Sequence, residues 1–414
     1  MNLYDFQCKG LKETEAYDRC AYYWEMGLGK TFVGSVKLCS FNNPVNLVVC
    51  QKSKVSDWIE HFATNHSNLS VFDLTNKKSL ASFISCKAHK VGVINYDQLF
   101  RRSELKTLKD FAIVFDESSM LKNEQAKRTK CALELNFKQV VLLSGTPVGG
   151  KYEELWSQCK LLGWNISKAD FWNLFIKYKE WQPVPYATPI KLVIGYKDVD
   201  LLKSQLKRHG ANFLSANGVL DLPDQVFQAI KVKTSKEYKQ LMEDGITTVD
   251  GVELVADMPL KKLLYARQIC SVYSADKLKA FEDLINSNND RLIVFYNFTA
   301  ELKALKAVVG ENRPISVVNG AYKDLTAYDS SDNSITFVQY QAGAMGLNLQ
   351  KANRIVYYSL PLSSELFEQS KKRTHRMGQK CTCFYYYLLC SGSVEEKILS
   401  TLNMRNDFTL DLFR

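Results

Sequence analysis

The sequence predicts an α/β fold with two parallel-sheet lobes in tandem and a mostly helical insert between them. Short apolar runs recur towards both ends of the 414-residue chain, and longer, more charged stretches separate them. Near-continuous apolar strands that alternate with helical stretches are typical of a parallel sheet covered on both faces. The predicted strands are CAYYW (20–24), NLVVC (46–50), VGVIN (91–95), AIVFD (112–116), VVLLS (140–144), RLIVFY (291–296), ISVVN (315–319), ITFVQ (335–339), RIVYYS (354–359) and FYYYLL (384–389).

The middle of the chain has a different pattern, with apolar residues at intervals of three and four, which indicates helices. The predicted helical stretches there are EELWSQCKLL, FWNLFIKYKEW, DVDLLKSQLKRH, KEYKQLMED and LKKLLYARQIC. We therefore expect a first lobe at 1–155, an insert and bridge at 156–275, and a second lobe at 276–414. The insert's aromatic residues, such as Trp172, Phe175 and Trp181, are expected to form a small core of their own, with a stacking platform for bases as the alternative.

Composition and charge restrict the class of protein. At 46% hydrophobic and 24% charged residues, the chain resembles an ordinary globular protein. Its apolar runs are too short to span a membrane, and its start shows no apolar leader. The 11 cysteines are scattered without zinc-site spacing, so we expect reduced thiols in an intracellular protein. The net charge of +10 is compatible with a polyanionic partner.

A candidate phosphate-binding loop follows the first predicted strand. Its residues are Gly27, Leu28, Gly29, Lys30 and Thr31. The two glycines let the backbone approach phosphate oxygens, and the helix start that follows offers free N–H groups. The lysine is placed to reach the β- and γ-phosphates of ATP, and the threonine hydroxyl to hold Mg²⁺. The general pattern has a further glycine where this chain has Trp24, so this stretch alone leaves a chance match open.

An acid pair follows the strand at 112–116. Asp116 can hold Mg²⁺ through a water, and Glu117 can orient and deprotonate an attacking water. A solvated acidic loop is the alternative, but the pair stands in the same predicted lobe as the phosphate loop, in the order that nucleotide-binding ATPases use. The next strand ends in a Ser-Gly-Thr-Pro turn, where Ser144 and Thr146 could relay the nucleotide state to the rest of the lobe.

The basic segment FEQSKKRTHRMGQK (367–380) is the fourth candidate. On a helix, Gln369, Arg373 and Arg376 share one face, because their spacings are four and three. Such a helix can be a solvated basic face. It can also supply arginine fingers to an ATP site, each of which contributes about 10³–10⁵ in rate.

These segments in this order resemble the Swi/Snf-type ATPases, the double-stranded-DNA-translocating branch of helicase superfamily 2. The resemblance covers nearly the whole chain. It is carried by LYDFQCKGL, WEMGLGKT, NLVVCQKSKVSDWIEHF, VGVINYDQL, DLPDQVFQAIKVKTSKEYKQLM, LYARQIC, LIVFYNFTAELKAL and QAGAMGLNLQKANRIVYYSLPLSSELFEQSKKRTHRMGQ. It implies that both lobes are RecA-like. The family's phosphate loop also lacks the first glycine of the general pattern, which accounts for Trp24.

The resemblance assigns roles in the first lobe. It implies that Gln7 contacts the adenine, and that Ser53 and Trp58 lie in a segment that contacts the DNA backbone. One residue departs from the pattern: the family's acidic motif usually ends in histidine, and here Ser119 takes that place. Since the histidine normally links the acid pair to the Gly-Thr-Pro turn, the departure leaves open how hydrolysis is coupled to DNA motion.

In the second lobe the resemblance implies that Gly346 and Asn348 lie near the nucleotide and the DNA. It also implies that Arg373 and Arg376 complete the ATP site. No chromodomain, bromodomain or nuclease segment flanks the lobes, and the insert is short. We therefore expect a minimal phage- or bacterial-type version of the motor, in the cytoplasm of a bacterial or phage-infected cell.

The expected activity is ATP hydrolysis with ATP and Mg²⁺, coupled to translocation on double-stranded DNA and to remodelling of DNA or protein–DNA complexes. Contacts would be mainly to phosphates, so binding should tolerate sequence and depend on salt. One alternative is a strand-separating helicase on single-stranded DNA or RNA. Another is a non-catalytic nucleic-acid clamp. The sequence does not identify protein partners or an oligomeric state.

Overall fold

The chain forms two compact units, described here from a computed structural model. The structure describes residues 2–182, 186, 188–216, 219–343 and 347–413, without the side chains of 343 and 406–413. The first unit is built on residues up to Val219, and the second is Leu220–Asn406. The last residues of the final helix, from Asp407, group with the first unit.

The first unit contains nine strands and nine helices among its described residues. The strands are β1 (Arg19–Trp24), β2 (Val45–Cys50), β3 (Ser70–Asp73), β4 (Lys90–Asn95), β5 (Lys109–Asp116), β6 (Asn136–Ser144), β7 (Ile176–Trp181), β8 (Ile190–Tyr196) and β9 (Ala211–Leu214). The helices are α1 (Asp5–Glu13), α2 (Lys30–Ser40), α3 (Val55–Asn65), α4 (Lys77–Ser85), α5 (Tyr96–Leu99), α6 (Lys127–Glu134), α7 (Trp156–Leu161), α8 (Lys168–Phe175) and α9 (Val199–Arg208).

The main sheet of this unit has seven parallel strands in the order β3-β4-β2-β5-β6-β1-β9. Its central strands are buried on both faces, which explains their near-continuous apolar sequence. Because β5, β6 and β1 are neighbours, the loops that follow them lie side by side at the carboxyl edge of the sheet. That edge therefore brings together the phosphate loop, the acid pair and the Ser-Gly-Thr-Pro turn.

The second unit repeats the arrangement with a second seven-stranded sheet, in the order β10-β18-β17-β13-β16-β14-β15. Its strands are β10 (Gln225–Val232), β11 (Ile246–Val249), β12 (Val252–Val255), β13 (Leu292–Tyr296), β14 (Ile315–Val318), β15 (Lys323–Asp324), β16 (Ile335–Gln339), β17 (Arg354–Tyr357) and β18 (Cys383–Cys390). Its helices are α10 (Lys236–Asp244), α11 (Pro259–Ser271), α12 (Ala275–Asn286), α13 (Thr299–Val309), α14 (Thr326–Ser330), α15 (Tyr340–Gly343), α16 (Ser364–Lys371) and α17 (Val394–Phe413). All pairings in this sheet are parallel except that of β14 with β15.

The ten strands predicted from apolar runs are all present, and the fold class of two parallel-sheet lobes is confirmed. The segment 156–275 differs from the expected helical insert. It carries helices, but also six strands, and it is divided between the two units near residue 219. The physical reason is that β9 and β10 complete the edges of the two main sheets, so the segment packs with both units.

The stretch FWNLFIKYKEW was predicted as one helix, but α8 ends at Phe175 and the remainder is strand β7. The alternation in this half has period two, and β8 pairs with it as an antiparallel hairpin. The expected separate core of the insert is wrong, because Phe175 and Trp172 pack with the core of the first unit and Trp181 is 52% exposed. Within the described ranges, no helix combines the length and the apolar character needed to cross a membrane.

Candidate nucleotide site

The phosphate loop, Gly27 to Thr31, lies at the end of the connection between β1 and α2 and runs into the first turn of α2. Gly27 and Gly29 have φ angles of 88° and 71°, a left-handed conformation that favours glycine. A Cβ atom on Gly29 would collide with Gln7 Nε2, so a larger residue is disfavoured by contact as well as by conformation. Gly29 caps α2, and the first N–H groups of that helix are left without intrahelical partners. The loop is therefore shaped to receive an anion.

Gln7 is buried against this loop. Its Nε2 donates to the Leu28 carbonyl at 3.1 Å, and its Oε1 accepts from the Tyr4 amide at 3.0 Å. The side chain is 3% exposed. Gln7 thus fixes the loop conformation in this structure, and its predicted contact with adenine stays a prediction.

Lys30 begins α2 and turns back over the loop. Its Nζ donates to the carbonyls of Trp24 at 2.8 Å and Glu25 at 3.2 Å. Burial lowers the pKa of Lys30, and the nearby carboxylates of Glu117 and Asp116 oppose that shift. The ammonium group is therefore close to the acid pair, as the sequence predicted for a phosphate site.

The acid pair lies at the end of β5. Asp116 Oδ2 accepts from Trp58 Nε1 at 2.8 Å, and its Oδ1 accepts from the Glu117 amide at 3.1 Å. Burial raises the pKa of Asp116, and the Trp58 hydrogen bond and the charge of Lys30 counteract it. Glu117 has a φ angle of 52°, which is uncommon for a residue other than glycine and often marks a functional position.

Trp58 is placed differently from the sequence expectation. Its side chain is 1% exposed and holds Asp116, so in this structure it supports the acid pair and presents no surface to DNA. Ser53 stays partly exposed, in a short 3-10 turn that also contains Lys52 and Lys54. Of the two residues, only Ser53 is available for the predicted backbone contact.

The turn after β6 lies beside Lys30. An added Cβ on Gly145 would lie 3.2 Å from Lys30 Nζ. The buried Ser144 Oγ accepts from the Thr146 amide at 3.2 Å. Thr146 Oγ1 is buried and has no hydrogen-bond partner among the described residues. A buried hydroxyl of this kind can accept or donate a hydrogen bond to a ligand or its water.

The oxygen atoms around Lys30 fit a magnesium nucleotide. Thr31 follows Lys30 in the first turn of α2, and the charge of Asp116 acts on Lys30. Thr146, whose buried hydroxyl has no partner among the described residues, follows Gly145 beside Lys30 Nζ. All three side chains carry hard oxygen donors. Mg²⁺ prefers such ligands and keeps several waters when it binds phosphates. The free N–H groups of the loop and Lys30 suit the phosphates themselves. The residues present therefore fit Mg²⁺ together with ATP.

Helix α2 is tied to helix α3, which carries Trp58, by a buried histidine contact. Ser35 Oγ is 2.7 Å from His61 Nε2 and 3.1 Å from His66 Nε2. His66 Nδ1 is in turn 3.4 Å from Cys39 Sγ. Burial, and then the charge of His66, lower the pKa of His61 to about 4.

We expect acid to weaken the first unit through His61. The folded pKa of about 4 lies below the ordinary value of about 6.5, so the unfolded chain binds more protons between them. The contribution of neutral His61 is complete above pH 6.5 and is lost as pH falls through 4. Between pH 7 and pH 5 the loss is about 2 kcal/mol of unfolding free energy. Urea unfolding at both pH values checks this, and His61→Gln should lack most of the loss.

The basic segment of the second unit is not one continuous helix. Helix α16 ends at Lys371, so Gln369 is helical whereas Arg373 and Arg376 lie in turns and share no helix face with it. The helix ends because the chain turns to meet the loop at 347–352. The Leu349 amide donates to the Arg373 carbonyl at 3.1 Å, and Gln379 Nε2 donates to the carbonyls at 350 and 352, both at 3.0 Å.

The contact between the loop at 347–352 and the turns after α16 brings several predicted residues into one neighbourhood. Asn348 is exposed beside the Leu349 contact, and Gln369 is 4% exposed with its Nε2 at 3.4 Å from Glu365 Oε1. Burial lowers the pKa of Arg376. Gly346, which was expected near the nucleotide, lies outside the described residues.

Two residues of the site gave no sequence signal. Ser118 follows the acid pair, and its Oγ donates to Gln158 Oε1 on α7 at 2.8 Å. Gln158 lies in a stretch that reads only as helix. No local pattern marks this pair, because the residues are far apart in sequence and meet only through the sheet order.

The fold and the site define a class of protein, namely a two-lobed RecA-like protein with a phosphate loop in its first lobe. Residues 22–274 match the SNF2-related domain, and residues 276–378 match the helicase conserved C-terminal domain. The SNF2-related match covers more than half of the chain. The chain therefore belongs to the SNF2-related family.

Individual relatives are distant. The chain is 22% identical to an uncharacterized ATP-dependent helicase of Mycoplasma genitalium, over 98% of this chain and 42% of that protein. It is 23% identical to a Caenorhabditis elegans homolog of SWI/SNF-related matrix-associated actin-dependent regulator of chromatin subfamily A-like protein 1, over 92% of this chain and 58% of that protein. The chain thus spans about half the length of these relatives. Among solved structures it aligns with the Sulfolobus solfataricus SWI2/SNF2 ATPase core in complex with dsDNA, at 21% identity and a TM-score of 0.47, over 99% of this chain and 92% of that one.

Proposed function

We propose that this chain hydrolyses ATP and uses the energy to translocate on double-stranded DNA, remodelling DNA or protein–DNA complexes. One observation carries the proposal. At the carboxyl edge of the first sheet, Lys30 lies near enough to Glu117 and Asp116 for their charges to act on it, in a chain that belongs to the SNF2-related family. The net charge of +10 and the names of the relatives, which include ATP-dependent helicases, support a nucleic-acid partner.

Each residue of the first unit has a distinct part in the proposed reaction. The loop amides and Lys30 bind the β- and γ-phosphates and neutralise their charge. Thr31 and Asp116 hold Mg²⁺, which when bound stabilises the negative charge on the phosphate oxygens. Glu117 orients the attacking water and accepts its proton. Trp58 keeps the Asp116 carboxylate in place through its Nε1–H bond.

We propose further roles for the second unit, which belong to the same reaction. Arg373 and Arg376 stabilise the charge that develops on the transferred phosphate. Asn348 and Gln369, and Gly346 by its position in the motif, serve the nucleotide or the DNA. The DNA contacts run mainly to phosphates, so affinity falls steeply with salt and varies little with sequence.

The test is ATP turnover measured alone and with duplex DNA, single-stranded DNA and RNA, at two salt concentrations. We expect duplex DNA to give the strongest stimulation, and higher salt to raise the DNA concentration needed for it. Stimulation by single strands or RNA but not by duplex would transfer the proposal to the helicase alternative. ATP binding without any turnover would favour a non-catalytic clamp.

Strand separation is a second candidate function, and hairpin β7–β8 favours it. The hairpin is a two-stranded sheet of its own, and its outward face pairs Trp181 with Ile190 and Lys179 with Leu192. Trp181, Ile190 and Leu192 are each about half exposed, at 52%, 48% and 47%. Aromatic side chains beside basic ones can hold unstacked bases. Release of a labelled strand from a forked duplex, which translocation alone does not require, distinguishes the two functions.

A further inference from the structure

A single buried glutamine joins strand β1 to two loops of the nucleotide site. Gln158 is fully buried on α7. Its Oε1 accepts from Ser118 Oγ at 2.8 Å and from Tyr23 OH at 3.1 Å, and its Nε2 donates to the Pro147 carbonyl at 2.8 Å. The amide orientation is fixed by chemistry, because a carbonyl oxygen can only accept and so must face the NH₂ group.

Each partner of Gln158 adjoins a residue of the proposed reaction. Ser118 follows Glu117, the proposed base. Pro147 follows Thr146, whose buried hydroxyl has no partner among the described residues. The third partner, Tyr23, lies on β1 and precedes Trp24, whose carbonyl accepts from Lys30. The glutamine therefore links the acid pair, the Ser-Gly-Thr-Pro turn and the strand that leads into the phosphate loop.

The bridge is rigid because all of its parts are buried. The side chains of Ser118 and Tyr23 are 0% exposed, like Gln158 itself. A neighbouring contact fastens α7 to the segment that follows the acid pair, since Ser157 Oγ donates to the Leu121 carbonyl at 2.5 Å. A buried polar group that loses its partner is costly, so the loops at the two ends of the glutamine are expected to shift together.

We propose that Gln158 is a positioning residue that couples the acid pair to the Ser-Gly-Thr-Pro turn, and so transmits nucleic-acid binding to ATP hydrolysis. The inference rests on the proposed function. It accounts for the departure from the family pattern at Ser119. This buried residue stands where the family usually has the histidine that links the acid pair to the Gly-Thr-Pro turn. In this chain the neighbouring hydroxyl of Ser118 and the amide of Gln158 make the connection.

The test compares two ATPase rates from one preparation, with and without saturating duplex DNA. Their ratio measures coupling, and a loss of folded protein cancels in it. Gln158→Met keeps the length and burial of the side chain but removes the bridge. We expect the ratio to fall by roughly tenfold, which corresponds to the loss of about one net hydrogen bond.

Two further substitutions separate the ends of the bridge. Gln158→Glu keeps an acceptor for Ser118. When ionised it cannot donate to the Pro147 carbonyl, whereas the protonated carboxyl that burial favours can, so we expect the ratio to be lower at high pH than at low pH. Ser118→Ala removes the other end, and Ser118→Thr restores the hydroxyl and should recover the ratio. Because Ser118→Ala and Gln158→Met break the same hydrogen bond, the double variant should be no worse than Gln158→Met alone.

Gln139, on β6 of the first unit, supplies a matched control. It is also a buried glutamine with contacts at both ends: its Nε2 donates to Asp18 Oδ1 at 3.1 Å, and its Oε1 accepts from Asn43 Nδ2 at 3.2 Å. Gln139→Met should leave the ratio unchanged, even where it lowers the melting temperature by as much as Gln158→Met. If Gln158→Met does not fold, the two Ser118 variants and Gln158→Glu decide the question.

The outcomes separate this inference from the proposed function. If no nucleic acid stimulates the wild-type chain, the proposed function fails and the coupling role fails with it. If duplex DNA stimulates the wild-type chain and the ratio is unchanged in folded Gln158→Met and Ser118→Ala variants, only the coupling role is overturned. A ratio that falls equally in Gln139→Met overturns it too, since the effect would then be general.

Discussion

Replacing Lys30 by alanine is expected to abolish ATP hydrolysis, with a loss of at least about a hundredfold in turnover. The ammonium group of Lys30 lies within the field of Glu117 and Asp116, and its present acceptors are the Trp24 and Glu25 carbonyls. In the proposed reaction the ammonium group leaves these carbonyls and binds the phosphates. Alanine has no positive charge that could do the same. Steady-state hydrolysis and equilibrium ATP binding, measured on the same preparation, check the expectation.

Lys37 provides the control for this substitution, because it lies on the same helix and is also buried. Its Nζ donates to the carbonyls of Thr14 at 2.7 Å and Glu15 at 3.2 Å, away from the acid pair. Lys37→Ala should lower stability but keep turnover per folded molecule. Wild-type turnover in Lys30→Ala would remove the phosphate-loop assignment, and with it the proposed activity.

Replacing Arg376 by alanine is expected to lower turnover by about 10³–10⁵ while ATP binding is retained. An arginine finger acts on charge that develops during the reaction, so its loss affects the rate more than the ground-state complex. Burial lowers the pKa of Arg376, but a guanidinium stays protonated at neutral pH. Single-turnover hydrolysis with saturating ATP separates the chemical step from binding.

Two further variants serve as controls for Arg376→Ala. Lys380→Ala removes an exposed charge from the same segment and should leave the rate unchanged. Arg376→Lys keeps the charge but loses the planar fork of donors, so it should recover little of the rate. If Arg376→Ala hydrolyses ATP normally, the arginine has a structural role in the turns after α16. A simultaneous loss of ATP binding would also argue against a finger.

The central strands of both sheets were predictable because their signal is local. Strands such as β2 and β17 are buried on both faces, and burial demands an apolar run whatever the neighbours are. Hairpin β7–β8 was missed because its apolar residues do not report burial. Its exposed positions carry Trp181, Ile190 and Leu192, so the sequence reads as core although the side chains face outward.

In the candidate site, too, the features with a local signal were predicted and the feature that depends on tertiary contacts was not. The glycines of the phosphate loop and the carboxylates of Asp116 and Glu117 are required by chemistry at fixed spacing, so a sequence can reveal them. The expected helix face of Gln369, Arg373 and Arg376 failed because α16 ends at Lys371. The signal that ends it is tertiary, since Gln379 Nε2 bonds the carbonyls at 350 and 352.

The sequence by itself determined ten strands of the two main sheets, their order along the chain, the phosphate loop, the acid pair and the family. Only the tertiary structure decided that Trp58 holds Asp116 and that Gln158 joins Ser118 to Pro147. Apolar periodicity and loop chemistry depend on residues that are near one another in the sequence, so a single sequence is enough to predict them. Hydrogen bonds between distant residues depend on which strands lie side by side, and that order is set by packing of the whole unit.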